Sequence, residues 1–130
     1  MSLRLKGVHH IAIICKDYTK SLFFYRDILG LELLSETYRA ERQSYKADLA
    51  LNGRYVIELF SFPSPPARPS YPESAGLRHL AFAVDDVDLT IRTLEGFGVL
   101  CETVRIDPLT AKKFTFAADP DELPIEFYEV

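Results

Sequence analysis

The chain carries one pattern twice. The stretch VHHIAIICKDYTKSLFFYRDILGLEL, running on to YVIELF, is followed by LRHLAFAVDDVDLTIRTLEGFGVLCE, running on to LPIEFYEV. A repeat of this kind leaves few folds open, because each copy must build the same supersecondary unit. Each copy also holds one histidine and one glutamate at nearly the same interval. Glu58 follows His10 by 48 residues, and Glu126 follows His79 by 47. Seven residues beyond each histidine an acidic residue, Asp17 or Asp86, opens a helix-like run.

Both copies read as strand, helix, and three strands. In HHIAIIC, His10, Ala12 and Ile14 alternate with Ile11, Ile13 and Cys15, which is a strand pattern. KDYTKSLFFYRDILG places Leu22, Tyr25, Ile28 and Leu29 at helical spacing, with Asp17 or Thr19 as N-cap and Gly30 as terminator. LELLSETY, SYKADLAL and YVIELFSF follow as strands, and Asn52-Gly53 marks a tight hairpin between the last two. In the second copy LRHLAFAVDD predicts a strand, and Val87, Ile91 and Leu94 predict a helix ending at Gly96 and Gly98. VLCETVRI, KKFTFAAD and LPIEFYEV complete the set, with Asp119-Pro120-Asp121-Glu122 as the last turn. Residues 61–76 hold five of the eight prolines and read as a semi-rigid linker between module 1 (1–62) and module 2 (77–130) of a single domain.

Composition narrows the class. At 130 residues the chain buries a core without staples, and its net charge of −4 with no basic cluster argues against nucleic acid as a partner. No apolar run approaches the roughly 18 residues that span a membrane. Nothing in MSLRLKG reads as a signal peptide, and the two cysteines have no metal or redox spacing. A cytoplasmic protein with a small-molecule partner is the expectation, with Cys15 as a buried thiol.

Alternation sets where the four repeated residues point. His10 shares its face with Ala12 and Ile14, and His79 with Ala81 and Ala83. Glu58 shares its face with Val56 and Phe60, and Glu126 with Tyr128. Ile57, Leu59, Ile125 and Phe127 lie opposite, toward the helices, so all four polar residues face away from them. A lone histidine here reads as a satisfied core residue, and a lone glutamate as an ion pair with Lys6, Arg54 or Lys113. Four such residues in register with a repeat read instead as metal ligands. A glutamate among apolar strand neighbours is costly to bury unless paired, protonated or metal-bound. Two imidazoles and two carboxylates suit Ni²⁺, Co²⁺ or Zn²⁺. His9 points the other way and is not expected to be a ligand. The run Tyr38-Arg39-Ala40-Glu41-Arg42 with Lys46 offers an anion clamp at a cavity mouth, but solvated surface charge is the preferred reading, as for Lys112 and Lys113.

The residues H-I-A-I-x₃-D with Phe24, Tyr25, Leu29 and Gly30, the segment Ile57-Glu58-Leu59, GLRHLAFAVDD, and DPDE-x₂-IE ending at Glu126 together resemble the vicinal oxygen chelate superfamily, which includes glyoxalase I. The resemblance implies an α+β fold, two βαβββ modules forming a cup-shaped mixed sheet with helices packed outside. It places the metal ligands on His10, Glu58, His79 and Glu126, a set similar to bacterial glyoxalase I, with nickel or cobalt favoured over zinc. It also implies a homodimer whose ligands meet within one chain or across two. Glyoxalase I holds glutathione with an arginine and an asparagine where this chain has Ile14 and Phe62, so glutathione held in that way is not expected. Glu122 stands where the family usually has glycine.

The implied activity is that of a metal-dependent lyase or isomerase, similar to lactoylglutathione lyase. It acts on a 2-oxoaldehyde–thiol adduct or a related vicinal-oxygen substrate through a metal-stabilised enediolate, with Glu126 or Glu58 as the proton-transfer carboxylate. Phe60, Phe62 and Tyr128 are expected to form an apolar wall. The alternatives are an epimerase or Fe-dependent dioxygenase of the same superfamily, or a non-catalytic binding or resistance protein.

Overall fold

The structure is a computed structural model that describes residues 1–130. The chain divides into two compact units, Met1–Pro65 and Pro66–Val130. In the first, strand β1 (Ile11–Cys15) leads to helix α1 (Tyr18–Leu22), then to β2 (Glu32–Arg39), β3 (Ser44–Leu51) and β4 (Arg54–Ser61). The second repeats the order with β5 (Leu80–Val84), α2 (Val87–Gly96), β6 (Arg105–Ile106), β7 (Lys113–Ala118) and β8 (Pro124–Glu129). The sheets are ordered β1-β4-β3-β2 and β5-β8-β7-β6, each with one parallel pair (β1 with β4, β5 with β8) beside antiparallel ones. This is the α+β, twofold βαβββ arrangement that the repeat predicts.

The helix-facing residues form the cores. Ile13, Cys15, Leu49, Ile57 and Leu59 are buried in the first unit, and Val87, Leu94, Ile125 and Phe127 in the second. Each such aliphatic side chain contributes about 1.5–3 kcal/mol by leaving water. That burial fixes register, because a slip of one residue would turn Glu58 or Glu126 into the core in place of its neighbours. Both helices begin where the acidic residues predict. The Asp17 carboxylate accepts from the Lys20 N–H at 3.1 Å, and that of Asp86 from the Leu89 N–H at 3.0 Å. Asp17 rather than Thr19 is therefore the cap. At the α2 start Glu129 adds a second acceptor, for the Val87 N–H, at 3.0 Å.

The structure departs from the sequence pattern in four places. The first helix leaves α geometry after Leu22 and continues as a π-helical segment, Phe23–Ile28. There the Leu29 N–H reaches back to the Phe24 carbonyl at 2.9 Å. The wider turn lets adjacent Phe24 and Tyr25 both point inward, 3% and 0% exposed, which α periodicity does not foresee. Gly30, at φ +83°, then ends the segment as expected. Strand β6 shrinks to two residues; ahead of it the Glu102 N–H still donates to the Phe116 carbonyl at 2.8 Å, and the Thr115 hydroxyl donates to the Glu102 carbonyl at 2.7 Å. Strands β1 and β5 open at Ile11 and Leu80, one residue after each candidate histidine. Ser61 closes β4, as the strand YVIELFSF predicts, but the latter part of the proline-rich stretch folds with the second unit, where the Arg68 guanidinium donates to the carbonyls of Leu77 and Arg78 at 2.7 and 3.0 Å.

Candidate functional site

Parallel pairing brings each histidine to its glutamate. Ala12 lies opposite Glu58 across β1 and β4, and Ala81 lies opposite Glu126 across β5 and β8. In both units the histidine sits two residues before that alanine, on the same face. His10 Nε2 is 3.6 Å from Glu58 Oε1, and His79 Nε2 is 3.4 Å from Glu126 Oε1. Both separations exceed an ordinary hydrogen bond. Two donors each about 2.1 Å from one ion stand about 3.0 Å apart at a right angle and about 3.4 Å apart at the tetrahedral angle. The His79–Glu126 pair is thus spaced as two tetrahedral ligands of one ion would be, and the His10–Glu58 pair, at 3.6 Å, is slightly wider. No group of three or more His, Cys, Asp or Glu side chains gathers to hold a metal; each unit supplies a pair.

The first pair lies in a polar network. Lys46 Nζ is 3.4 Å from Glu58 Oε2 and 3.1 Å from Asp48 Oδ1. Glu58 is therefore partnered by Lys46, not by Lys6, Arg54 or Lys113. Asp48 also accepts from the hydroxyls of Ser35 at 2.9 Å and Tyr55 at 3.2 Å. Burial opposes the charge on Asp48, but the bonds from Ser35, Lys46 and Tyr55 outweigh it and hold its carboxyl below the usual value. The bond to Asp48, aided by Glu58, keeps Lys46 charged. Burial, and then the charges of Asp48 and Glu58, keep the Tyr55 hydroxyl protonated.

His10 is oriented from two sides. Tyr55 stacks on its ring at 5.1 Å, and His9 Nδ1 lies 2.8 Å from His10 Nδ1. With the Nδ1 proton of His10 given to His9, Nε2 is bare and available as a ligand. His9 contacts His10 through Nδ1 and does not itself reach Glu58.

The second pair has apolar surroundings. Phe116 lies opposite Glu126 where Asp48 lies opposite Glu58, and Phe114 stands where Lys46 does. The Phe116 edge meets the His79 ring at 5.0 Å, and His79 Nδ1 is buried without a hydrogen-bond partner. Tyr128 stacks on Phe114, bonds Thr110, and donates to Asp107 at 2.9 Å. A cavity of about 560 Å³ in this unit is lined by Arg68, Tyr71, Cys101, Glu102, Phe116 and Glu122 among others. It borders Phe116 but not His79 or Glu126.

The sequence pattern missed Ser35, Asp48 and Tyr55. Asp48 carried a usable signal, since Ser44, Lys46 and Asp48 alternate with buried Ala47 and Leu49. Tyr55 carried none. Strict alternation would put it with Ile57 on the helix side, but the register shift between Leu49 and Ala50 makes Val56 an extra residue and turns Tyr55 toward His10.

The model of the Glyoxalase/Bleomycin resistance protein/Dioxygenase superfamily matches residues 7–127. The uncharacterized protein YaeR of Escherichia coli K12 is 65% identical over 127 residues, which is 98% of each chain. A glyoxalase family protein from Enterococcus faecalis has a solved structure with TM-score 0.88 at 44% identity, covering 95% of this chain and 98% of that one. The same fold, at 20% identity and TM-score 0.76, occurs in the fosfomycin resistance protein FosX of Listeria monocytogenes, in a complex with Mn(II); that match covers 98% of this chain and 94% of FosX.

Proposed function

The chain belongs to the glyoxalase/bleomycin resistance protein/dioxygenase superfamily, and we propose that it is a metal-dependent lyase or isomerase of the glyoxalase type. One divalent ion, nickel or cobalt in preference to zinc, would be held by His10, Glu58, His79 and Glu126. The observation that carries the reading is the doubled register: two His–Glu pairs at 3.6 and 3.4 Å on equivalent strands. The donor set fits a borderline divalent ion, and FosX, of the same fold, is a protein crystallised with Mn(II). Bound there, the ion supplies Lewis-acid polarisation to two adjacent oxygens of a substrate. The whole set arises by joining the two pairs, within a chain or across a homodimer.

The two glutamates divide the work. Glu58 is anchored by Lys46 at 3.4 Å and stays in place. Glu126 has no lysine or arginine beside it and faces Phe116, so its carboxylate is the freer to swing. Glu126 takes a proton from the carbon that bears the hydroxyl and sulfur of a 2-oxoaldehyde–thiol adduct. It returns that proton to the neighbouring carbon while the hydroxyl proton passes to that carbon's oxygen, which converts the adduct to a 2-hydroxy thioester. His79 holds Glu126 from one side, and the ring of Phe116 limits water at the carboxylate. Ile14, 55% exposed, and Phe62, stacked on Phe60, offer none of the polar contacts of a glutathione site, which favours another thiol.

Turnover of methylglyoxal and phenylglyoxal adducts of several small thiols tests this reading. Glu126→Gln should lower turnover by about 10² to 10⁴ while the ion is retained. Glu58→Gln should mainly weaken metal binding. Wild-type turnover in both variants would sink the assignment, and consumption of O₂ would redirect it to dioxygenase chemistry.

A further inference from the structure

Arg39, at the end of β2, shares the sheet face of His10, Glu58 and Lys46, because it lies opposite Ser44 as Thr37 lies opposite Lys46. It is not a solvated surface charge. The guanidinium rests 4.8 Å over the Phe60 ring and 5.8 Å from that of Phe62, and Arg42 covers Phe62 at 5.2 Å. Of its five N–H donors, one nitrogen, Nη2, bonds the Ser44 hydroxyl at 2.9 Å, while Nε is buried with no partner. No carboxylate pairs with Arg39 or Arg42. A cation partly removed from water and left short of acceptors is an uncompensated cost.

The second unit supplies the contrast. Arg105 likewise lies over two phenylalanines, Phe114 at 5.2 Å and Phe116 at 5.4 Å. Its charge, however, is met by Glu102 at 3.0 Å. Lys46 is likewise taken, by Asp48 and Glu58. Arg39 and Arg42 are thus the cations of this face without an internal counter-ion.

We infer that Arg39, backed by Arg42 on the Phe60–Phe62 platform, is a binding site for an oxyanion, a carboxylate or a phosphate. Phe60 follows Glu58 by two residues on β4, a rise of about 7 Å. If the proposed function holds, the anion is the acidic end of a substrate whose reacting carbons lie by Glu58. The substrate class is then an acidic adduct, and the arginines replace the contacts that Ile14 and Phe62 cannot make.

The test is calorimetric titration of the full-length, EDTA-treated protein with inorganic phosphate and, separately, with succinate, at ionic strength held constant by chloride. Saturable binding of one anion per chain is expected, and the tighter of the two identifies the group. Arg39→Gln should weaken it at least tenfold, since a charge-assisted bond is lost. Arg42→Gln should weaken it about threefold to tenfold, and Arg105→Gln should leave it unchanged. Absence of saturable binding of both anions by the wild type would overturn the site. So would wild-type affinity in both Arg39→Gln and Arg42→Gln. Should Arg39→Gln not fold, equal affinities of the Arg42→Gln and Arg105→Gln proteins decide against it. No metal or substrate is present, so failure here and failure of the metal reading are separate results.

Discussion

His9 and His10 meet through their Nδ1 atoms at 2.8 Å, so one ring donates there and the other accepts. For His10 to bind a metal through Nε2, its proton must sit on Nδ1, and His9 must be the acceptor. Partners of this kind are typically worth about 10- to 100-fold in metal affinity. His9→Ala is therefore expected to weaken Ni²⁺ binding by about that factor in a calorimetric titration, with an unchanged circular dichroism spectrum, since His9 is exposed. Unaltered Ni²⁺ affinity would show that Tyr55 alone orients His10.

Asp48 predicts a pH dependence. Its carboxyl lies below the ordinary carboxylate value when folded, through Ser35, Lys46 and Tyr55 acting against burial. A depressed folded value contributes stability that is present above the unfolded value, about 3.9, and is lost as pH falls through the folded one. The Tm of the wild type should therefore exceed that of Asp48→Asn at pH 7, and the gap should close on acidification below about pH 4. A gap that stays constant down to pH 2.5 would mean that the bonds to Asp48 do not depend on its charge.

The last turn holds a local strain. Glu122 adopts φ +68°, a left-handed conformation that glycine takes without cost, while Asp119 ties the turn by accepting from the N–H groups of Asp121 and Leu123 at 2.8 and 2.9 Å. Left-handed φ costs a side-chain-bearing residue about 1–2 kcal/mol, partly offset by the greater freedom of glycine in the unfolded chain. Glu122→Gly should raise stability by about 0.5–1 kcal/mol in urea melts. A lower stability would mean that the Glu122 side chain contributes more than its backbone costs.

The parts of this molecule that were legible in sequence are those set by burial. Alternation in IIC, IEL and IEF puts Ile13, Ile57, Leu59 and Ile125 in the cores and leaves His10, Glu58, His79 and Glu126 on the opposite faces. Asp17, Asp86, Gly30 and Asn52-Gly53 marked their helix starts and turns because each acts through its own backbone neighbourhood. What escaped depends on an added residue or on a distant partner. The π-helical segment shifts Phe24 inward, the bulge beside Ala50 turns Tyr55 to His10, and β6 keeps only Arg105 and Ile106 while Glu102 is held by Phe116 and Thr115. None of these alters hydrophobic periodicity enough to be read from it. Arg39 shows the same limit for charge: sequence marks the cation, but only the fold shows that Ser44, Phe60 and Phe62 surround it without a carboxylate.

In the proposed function the two His–Glu pairs would hold one ion between them. The most direct measurement is metal content by mass spectrometry, on protein loaded with Ni²⁺ and desalted, for the wild type and for His10→Ala and His79→Ala. About one equivalent per four-ligand site is expected in the wild type, with a large loss in each variant, because either pair alone supplies too few donors. A wild type that retains no Ni²⁺, Co²⁺ or Zn²⁺, or a His79→Ala protein that retains the full equivalent, would contradict it.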